Sequence, residues 1–303
     1  MSDSPVIPSD FPVILSVSEG SLSHDIADYP AGIVIPIDKP YRWTSADVIR
    51  KVKFAAFRHF RKKNLKVGHA GTLDPLATGV LLVCIGAACK RAQEFQDHDK
   101  EYVAGIRFGA TTPSYDLEKE VDRTFPYEHI TEEAVREALK GFLGPQEQIA
   151  PLFSAKSVDG VRAYELARKL YRKSQRGDLD PDFDAAALET LHRSRITISD
   201  LELLGFDPAS ASGVLVREGS ADKAQSSASS RINVADTSGM GLPTATVRIA
   251  CSKGTYIRAF ARDLGEALGS GAHLSSLVRT RTGDFTLQEA LTMEQVLSLL
   301  SDA

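Results

Sequence analysis

The run Gly68-His69-Ala70-Gly71-Thr72-Leu73-Asp74-Pro75-Leu76-Ala77-Thr78-Gly79 constrains this chain more than any other stretch, because three glycines and a proline bracket one carboxylate. That composition excludes a helix or strand interior. Glycine admits backbone angles and close approaches that a side chain blocks, and proline fixes the backbone immediately after Asp74. The carboxylate is therefore expected on a stiff loop. The apolar run Val80-Leu81-Leu82-Val83-Cys84-Ile85 follows, closed by Gly86, and reads as a buried strand. Catalytic groups are often placed this way, on a scaffold that does not move. A tight turn whose Asp caps a backbone amide has the same composition, so the loop alone leaves both readings open.

A chain of 303 residues with 43% hydrophobic content can fill a sizeable core. No apolar run approaches the ~20 residues that span a bilayer, and no basic region followed by an apolar segment opens the chain, so a cytoplasmic location is expected. Cys84, Cys89 and Cys251 lack paired spacing, which suggests neither a disulfide framework nor a zinc site. No metal and no cofactor are expected. The formal net charge of -4 argues against a generic polyanion binder, yet it averages over a strong segregation.

That segregation is sharpest just before the glycine-rich loop. Thr44 or Ser45 caps an expected helix from Ala46 to about Phe60, with Val48, Ile49, Val52, Ala56 and Phe57 on its apolar face. Its other face and the loop after it carry Arg50, Lys51, Lys53, Arg58, Arg61, Lys62, Lys63 and Lys66, with no acid between Val48 and Lys66. This is the footprint of a phosphate-binding surface, although a solvated basic face has the same pattern.

Elsewhere, residues 1 to 30 read as an irregular arm, and Gly32 to Ile37 as a strand that ends at Asp38-Lys39-Pro40. A short helix is expected over Ala87 to Gln96, a strand bearing Tyr102 over Glu101 to Phe108, a polar loop over Gly109 to Asp122, and a helix between Thr131 and Gly141. A basic helical stretch runs through Tyr164, Leu166 and Leu170. An Asp-rich linker, a strand from Arg195 to Phe206 and a low-complexity insertion over Pro208 to Gly241 come next. Thr244 to Cys251 is an expected strand, and a helix opened by Ser252-Lys253-Gly254-Thr255-Tyr256-Ile257-Arg258 ends near Gly269. Thr282 to Leu287 reads as a last strand, and Met293 to about Leu300 as a terminal helix. The Ser-Lys-Gly-Thr sequence lacks the spacing of a nucleotide-binding loop.

Gly68 to Leu81 resembles the central motif of the TruB family of pseudouridine synthases, which isomerise a uridine in the T-arm of transfer RNA. Three further motifs follow in the family's order: Asp99-Lys100-Glu101-Tyr102, the stretch around Arg258, and Gly271 to Leu277. The resemblance covers roughly residues 32 to 300. It implies an α+β fold with a single catalytic domain, residues 31–303, around a mixed, largely antiparallel sheet with flanking helices. Residues 146–176 correspond to an RNA-binding thumb-like insertion, and a C-terminal PUA domain is expected to be missing.

The resemblance makes Asp74 the catalytic carboxylate and Arg258 its partner, and has Tyr102 stack on the target base and assist proton removal. Leu277 completes the base pocket and His69 fills or borders the space that the extruded base vacates. Lys39, Lys156 and Arg279 complete the expected substrate-binding set, with Arg61, Lys62, Lys63 and Lys66 along the RNA backbone. The family often has two arginines after this leucine; here Val278 stands at the first position and Arg279 at the second. The 208–241 insertion is a second departure, since family members usually join these strands by a short turn. The implied partner is transfer RNA, with no obligate protein. A guide-RNA-dependent synthase and a transfer RNA folding chaperone are the alternatives, separated by activity on bare transfer RNA and by Asp74→Asn.

Overall fold

The computed structural model describes residues 12–15, 22–151, 157–158, 161–162, 193–209, 232 and 234–301. In chain order these form β1 (Val13–Ile14), β2 (Ile33–Lys39), α1 (Ser45–Phe60), β3 (Val67–Ala70), β4 (Thr78–Ile85), α2 (Ala92–Asp97), β5 (Lys100–Phe108), β6 (Ala110–Thr111) and β7 (Arg123–Thr124). There follow α3 (Glu132–Lys140), β8 (Gly144–Ile149), β9 (Ser157–Val158), β10 (Val161–Arg162), β11 (Arg193–Asp207), β12 (Thr244–Cys251), α4 (Ile257–Ala267), β13 (Ala272–Thr282), β14 (Phe285–Thr286) and α5 (Met293–Leu299). The architecture is α+β on a mixed sheet, as the resemblance implies. Lys156, the helical stretch through Leu170 and most of the 208–241 insertion lie outside the described residues.

Two compact units divide the chain: Met1–Tyr102 with Lys223–Ile232 and Leu277–Ala303, and Val103–Asp222 with Asn233–Ser276. In the first unit β4 is the axis. Its residues 80 to 85 are all fully buried, as an apolar run between two glycines requires. One edge of β4 is covered along its length by antiparallel β2, from Ile33 opposite Ile85 to Lys39 opposite Gly79. The other edge is shared. Antiparallel β3 covers residues 82 to 85, and parallel β13 takes over at Thr78 and Gly79, placing Val278 and Arg279 beside them. The loop from Gly71 to Ala77 leaves the edge where β3 ends and returns where β13 begins.

Helix α1 starts where a capping box forms: the Thr44 hydroxyl accepts from Asp47 N, and the Asp47 carboxylate accepts from Thr44 N. Val48, Val52 and Ala56 are fully buried on its inner face, whereas Phe57, expected there too, is 37% exposed. The 100° spacing carries residue 57 off the buried stripe. Two other expectations change. The arm before residue 30 contributes β1, a parallel edge strand on β2, and the last long strand begins at Ala272, ten residues earlier than the sequence suggests. Both strands are set by pairing with distant neighbours, which local pattern does not encode.

In the second unit antiparallel β11 pairs with β8 on one side and β12 on the other. α4 buries Ile257, Arg258, Phe260, Ala261 and Leu264, and the close seat of Gly265 on Ala272 leaves no room for a side chain.

Candidate active site

Asp74 lies on a loop tied down from several directions within the first unit. Gly79, which ends the loop, has Lys39 of β2 on one side and Arg279 of β13 on the other, in register. Residues opposite one another across strands project to the same face, so both long cations rise beside a glycine that adds no side chain between them. A Cβ on Gly79 would lie 2.2 Å from the Arg279 carbonyl oxygen, at a φ of +96°.

Both cations reach the loop. Lys39 is fully buried, and its Nζ donates to the carbonyl oxygens of Pro40 (3.0 Å), Trp43 (2.6 Å) and Pro75 (3.2 Å), which uses all three ammonium protons. Arg279 is 1% exposed; its Nε donates to Val80 O at 2.7 Å, and its two terminal nitrogens face Gly71 O at 3.0 Å and Thr72 O at 3.5 Å. The first turn of α1 adds a third tie, because the Ser45 hydroxyl donates to Leu73 O and accepts from Leu73 N, each at 3.0 Å. Two more come from the end of β2 and the turn after it. The Asp38 carboxylate accepts from Gly79 N at 2.9 Å, and Arg42 N donates to Pro75 O at 3.0 Å. The loop closes on itself through Ala77 N to Asp74 O at 3.1 Å. Asp74 itself is partly exposed.

The charges shape one another. Burial pulls the Lys39 ammonium down to about 7; the carboxylate of Asp74 leads the charges that favour its protonated form, with Asp38 next, while Arg279 acts with burial. Burial raises the Asp38 carboxyl, offset by the Gly79 N–H and by Lys39. His69, on β3 opposite Val83, is held below the usual histidine range by burial and by Arg279, and its Nδ1 is buried with no hydrogen-bond partner.

Tyr102, at the end of this unit's share of β5, is 8% exposed. Leu277 is half-buried in β13, and nearby the Thr280 hydroxyl donates to the Glu101 carboxylate at 2.7 Å. Arg61, Lys62, Lys63 and Lys66 are all exposed, and Arg61 closes α1 in the left-handed conformation at φ +51°. Lys39, the Arg61 to Lys66 cluster, His69, Asp74, Tyr102, Leu277 and Arg279 all lie in the first unit.

Arg258 belongs to the second unit. It is 5% exposed in the first turn of α4, donates to Ser114 O at 3.1 Å and lies 3.8 Å from the Asp116 carboxylate. Asp116 is held in turn by the Ser114 hydroxyl at 2.6 Å. Gln148 braces the start of α4, its amide donating to Tyr256 O at 3.1 Å and accepting from Tyr256 N at 2.8 Å. Sequence reasoning named Ser45 only as a possible helix cap and missed Asp116 and Gln148, whose types and spacing carry no signal. It read Asp38-Lys39-Pro40 as a strand end and placed Lys39 in the substrate-binding set, without the contacts by which Lys39 and Asp38 hold the loop.

Residues 58–178 match the N-terminal domain of the TruB family pseudouridylate synthases, and residues 258–302 match the tRNA pseudouridylate synthase B C-terminal domain. The tRNA pseudouridine synthase B of Phocaeicola vulgatus is 46% identical over 267 residues, covering 88% of this chain and 92% of that protein. Its counterpart from Flavobacterium johnsoniae is 39% identical over 265 residues, covering 87% and 94%. Among solved structures, a Cbf5-Nop10-Gar1 complex matches with a TM-score of 0.54 at 23% identity, over 88% of this chain and 54% of the matched chain. That last likeness is one of fold, and this chain spans about half the length of its counterpart there. Close identity along nearly the whole length of the curated relatives, with the two family domains in order, leaves one assignment: the chain belongs to the TruB family of pseudouridylate synthases, isomerases that make pseudouridine in transfer RNA.

Proposed function

We propose that the target is the T-loop uridine of transfer RNA and that Asp74 is the residue on which the chemistry turns. The observation that supports this best is the loop itself, whose backbone is fixed by Lys39, Ser45, Asp38 and Arg279 while Asp74 is left partly exposed. Fixing a reactive group before substrate arrives removes reorganisation from the barrier.

Isomerisation breaks the bond between uracil N1 and the sugar anomeric carbon, turns the uracil while it is held, and joins the anomeric carbon to C5, whose proton then leaves. A carboxylate can serve this sequence as a nucleophile at the sugar or the ring, or as a countercharge to the ribose. The target base must first be extruded from its loop, with His69 bordering the vacated space and Tyr102 and Leu277 holding the base. From its motif Arg258 is assigned as the guanidinium partner that directs the Asp74 carboxylate during the reaction. Lys39 and Arg279 act through the loop as positioning residues. Lys156 is assigned to substrate binding and the 146–176 insertion to RNA binding from the family resemblance, and Arg61, Lys62, Lys63 and Lys66 follow the RNA backbone. The reaction as proposed uses no cofactor and no obligate protein partner, and it takes place in the cytoplasm with its transfer RNA.

The test is to incubate the protein alone with an unmodified transfer RNA transcript and map pseudouridine chemically. Pseudouridine in the T-loop is the expected result. Modification only elsewhere would overturn the target, and modification only after a guide RNA is added would favour the guide-dependent reading.

A further inference from the structure

A cleft of about 460 Å³ opens between α1 and β3, lined by Lys53, Lys63, Asn64, Lys66 and Gly68, with Cys89 also in its wall. Three cations converge there from two places in the chain: Lys53 from the middle of α1, Lys63 and Lys66 from the connection to β3. All three are exposed, and among the described residues no carboxylate pairs with any of them. Three like charges around one depression repel each other, and an anion seated between them relieves that repulsion. The backbone leaves space for it. A Cβ built on Gly68 meets nothing within 4 Å.

The surroundings suit a polyanion that carries bases rather than a lone ion. Phe57 shares a helix face with Lys53 one turn away and is 37% exposed; Phe54 is 63% exposed, with the Arg58 guanidinium 5.8 Å from its ring centre. Exposed aromatics among exposed cations form a surface on which unstacked bases can rest. Gly68 also directly precedes His69, so the cleft and the expected base pocket share strand β3.

We propose that this cleft is a discrete seat for one backbone phosphate of the RNA substrate, held jointly by Lys53, Lys63 and Lys66. The inference rests on the reading of RNA as substrate and adds to it a site with a definite stoichiometry. One shared phosphate and three separately engaged phosphates differ in how binding responds to salt. The slope of log affinity against log salt falls by about 0.7 to 0.9 for each phosphate that the protein no longer neutralises.

The test measures that slope for an unmodified transfer RNA transcript, with wild type, with the triple variant Lys53→Gln, Lys63→Gln, Lys66→Gln, and with Gly68→Asp. The last places a carboxylate in open space among the lysines. Expected is a reduction of about 0.7 to 0.9 in the triple variant, reproduced by Gly68→Asp and no larger when the two are combined. A reduction near three times that size, or none, overturns the shared seat. Displacement of RNA by inorganic phosphate far beyond that by chloride at equal ionic strength would make the cleft a free-anion site and also overturn it. Wild-type turnover of the same transcript keeps the two claims apart: turnover beside an unchanged slope overturns the seat alone. No turnover overturns the synthase reading, and the seat with it.

Discussion

Lys39 shows how a single buried side chain ties the end of β2 to the loop that carries Asp74. It is fully buried with its ammonium drawn down to about 7 by desolvation, while in an unfolded chain a lysine titrates near ~10.4. Between those values the unfolded chain binds a proton that the folded protein does not, so stability referred to Lys39 rises with pH across the window, by up to about 1 kcal/mol per pH unit. Below it both states are protonated and the cost of burying the charge is constant. Urea unfolding of wild type and Lys39→Met at the two ends of the window should show wild type gaining on the variant as pH rises; a difference that stays flat would mean the ammonium is not desolvated. At the lower end the variant should be the less stable by about 2–3 kcal/mol, because three buried carbonyls lose their donor. The sequence placed Asp74 on a stiff loop through its glycines and proline alone. It could not reveal that residues 39 and 279, so far apart in the chain, would flank Gly79, because strand register decides that and no local pattern records register.

At the scale of elements, the loop depends on its glycines unequally. Gly79→Ala puts a methyl group against the Arg279 backbone in a left-handed conformation and should cost roughly 2–4 kcal/mol. Gly68→Ala, with open space at the Cβ, should stay within about 0.5 kcal/mol of wild type. Thermal or urea unfolding of the pair checks this, and equal costs would show that the loop is not fixed by β13. Removing the α1 cap with Thr44→Ala should cost about 1 kcal/mol and slacken the Ser45 tie to Leu73. Three helix starts were legible, since Thr44, Thr131 and Thr292 cap where their types suggest, whereas α2 begins at Ala92, five residues after the expected Ala87. Helix faces and strand ends were less so. Phe57 is solvent-exposed and β13 begins at Ala272, because tertiary partners override short apolar patterns.

For the whole molecule, a formal charge of -4 coexists with a cluster of exposed cations on α1 and the connection after it, and that local field governs how a polyanion is met. Reversing Arg61, Lys62 and Lys63 to Glu should weaken transfer RNA binding steeply at low salt and less at high salt; an affinity unchanged across salt would remove this surface from the interface. The four motifs were legible because each joins glycines or charges at fixed spacing within a few residues. The ties that hold them, such as Asp116 to Arg258 and Gln148 to Tyr256, were not, since polar residues of ordinary type give no sign of their partners until the chain folds. The isomerisation is proposed to turn on Asp74. Release of tritium from C5 of labelled uridine in an unmodified transfer RNA transcript tests it most directly, comparing wild type with Asp74→Asn. Release by wild type and none by a variant that still binds the transcript is the predicted result, and full release by Asp74→Asn would contradict it.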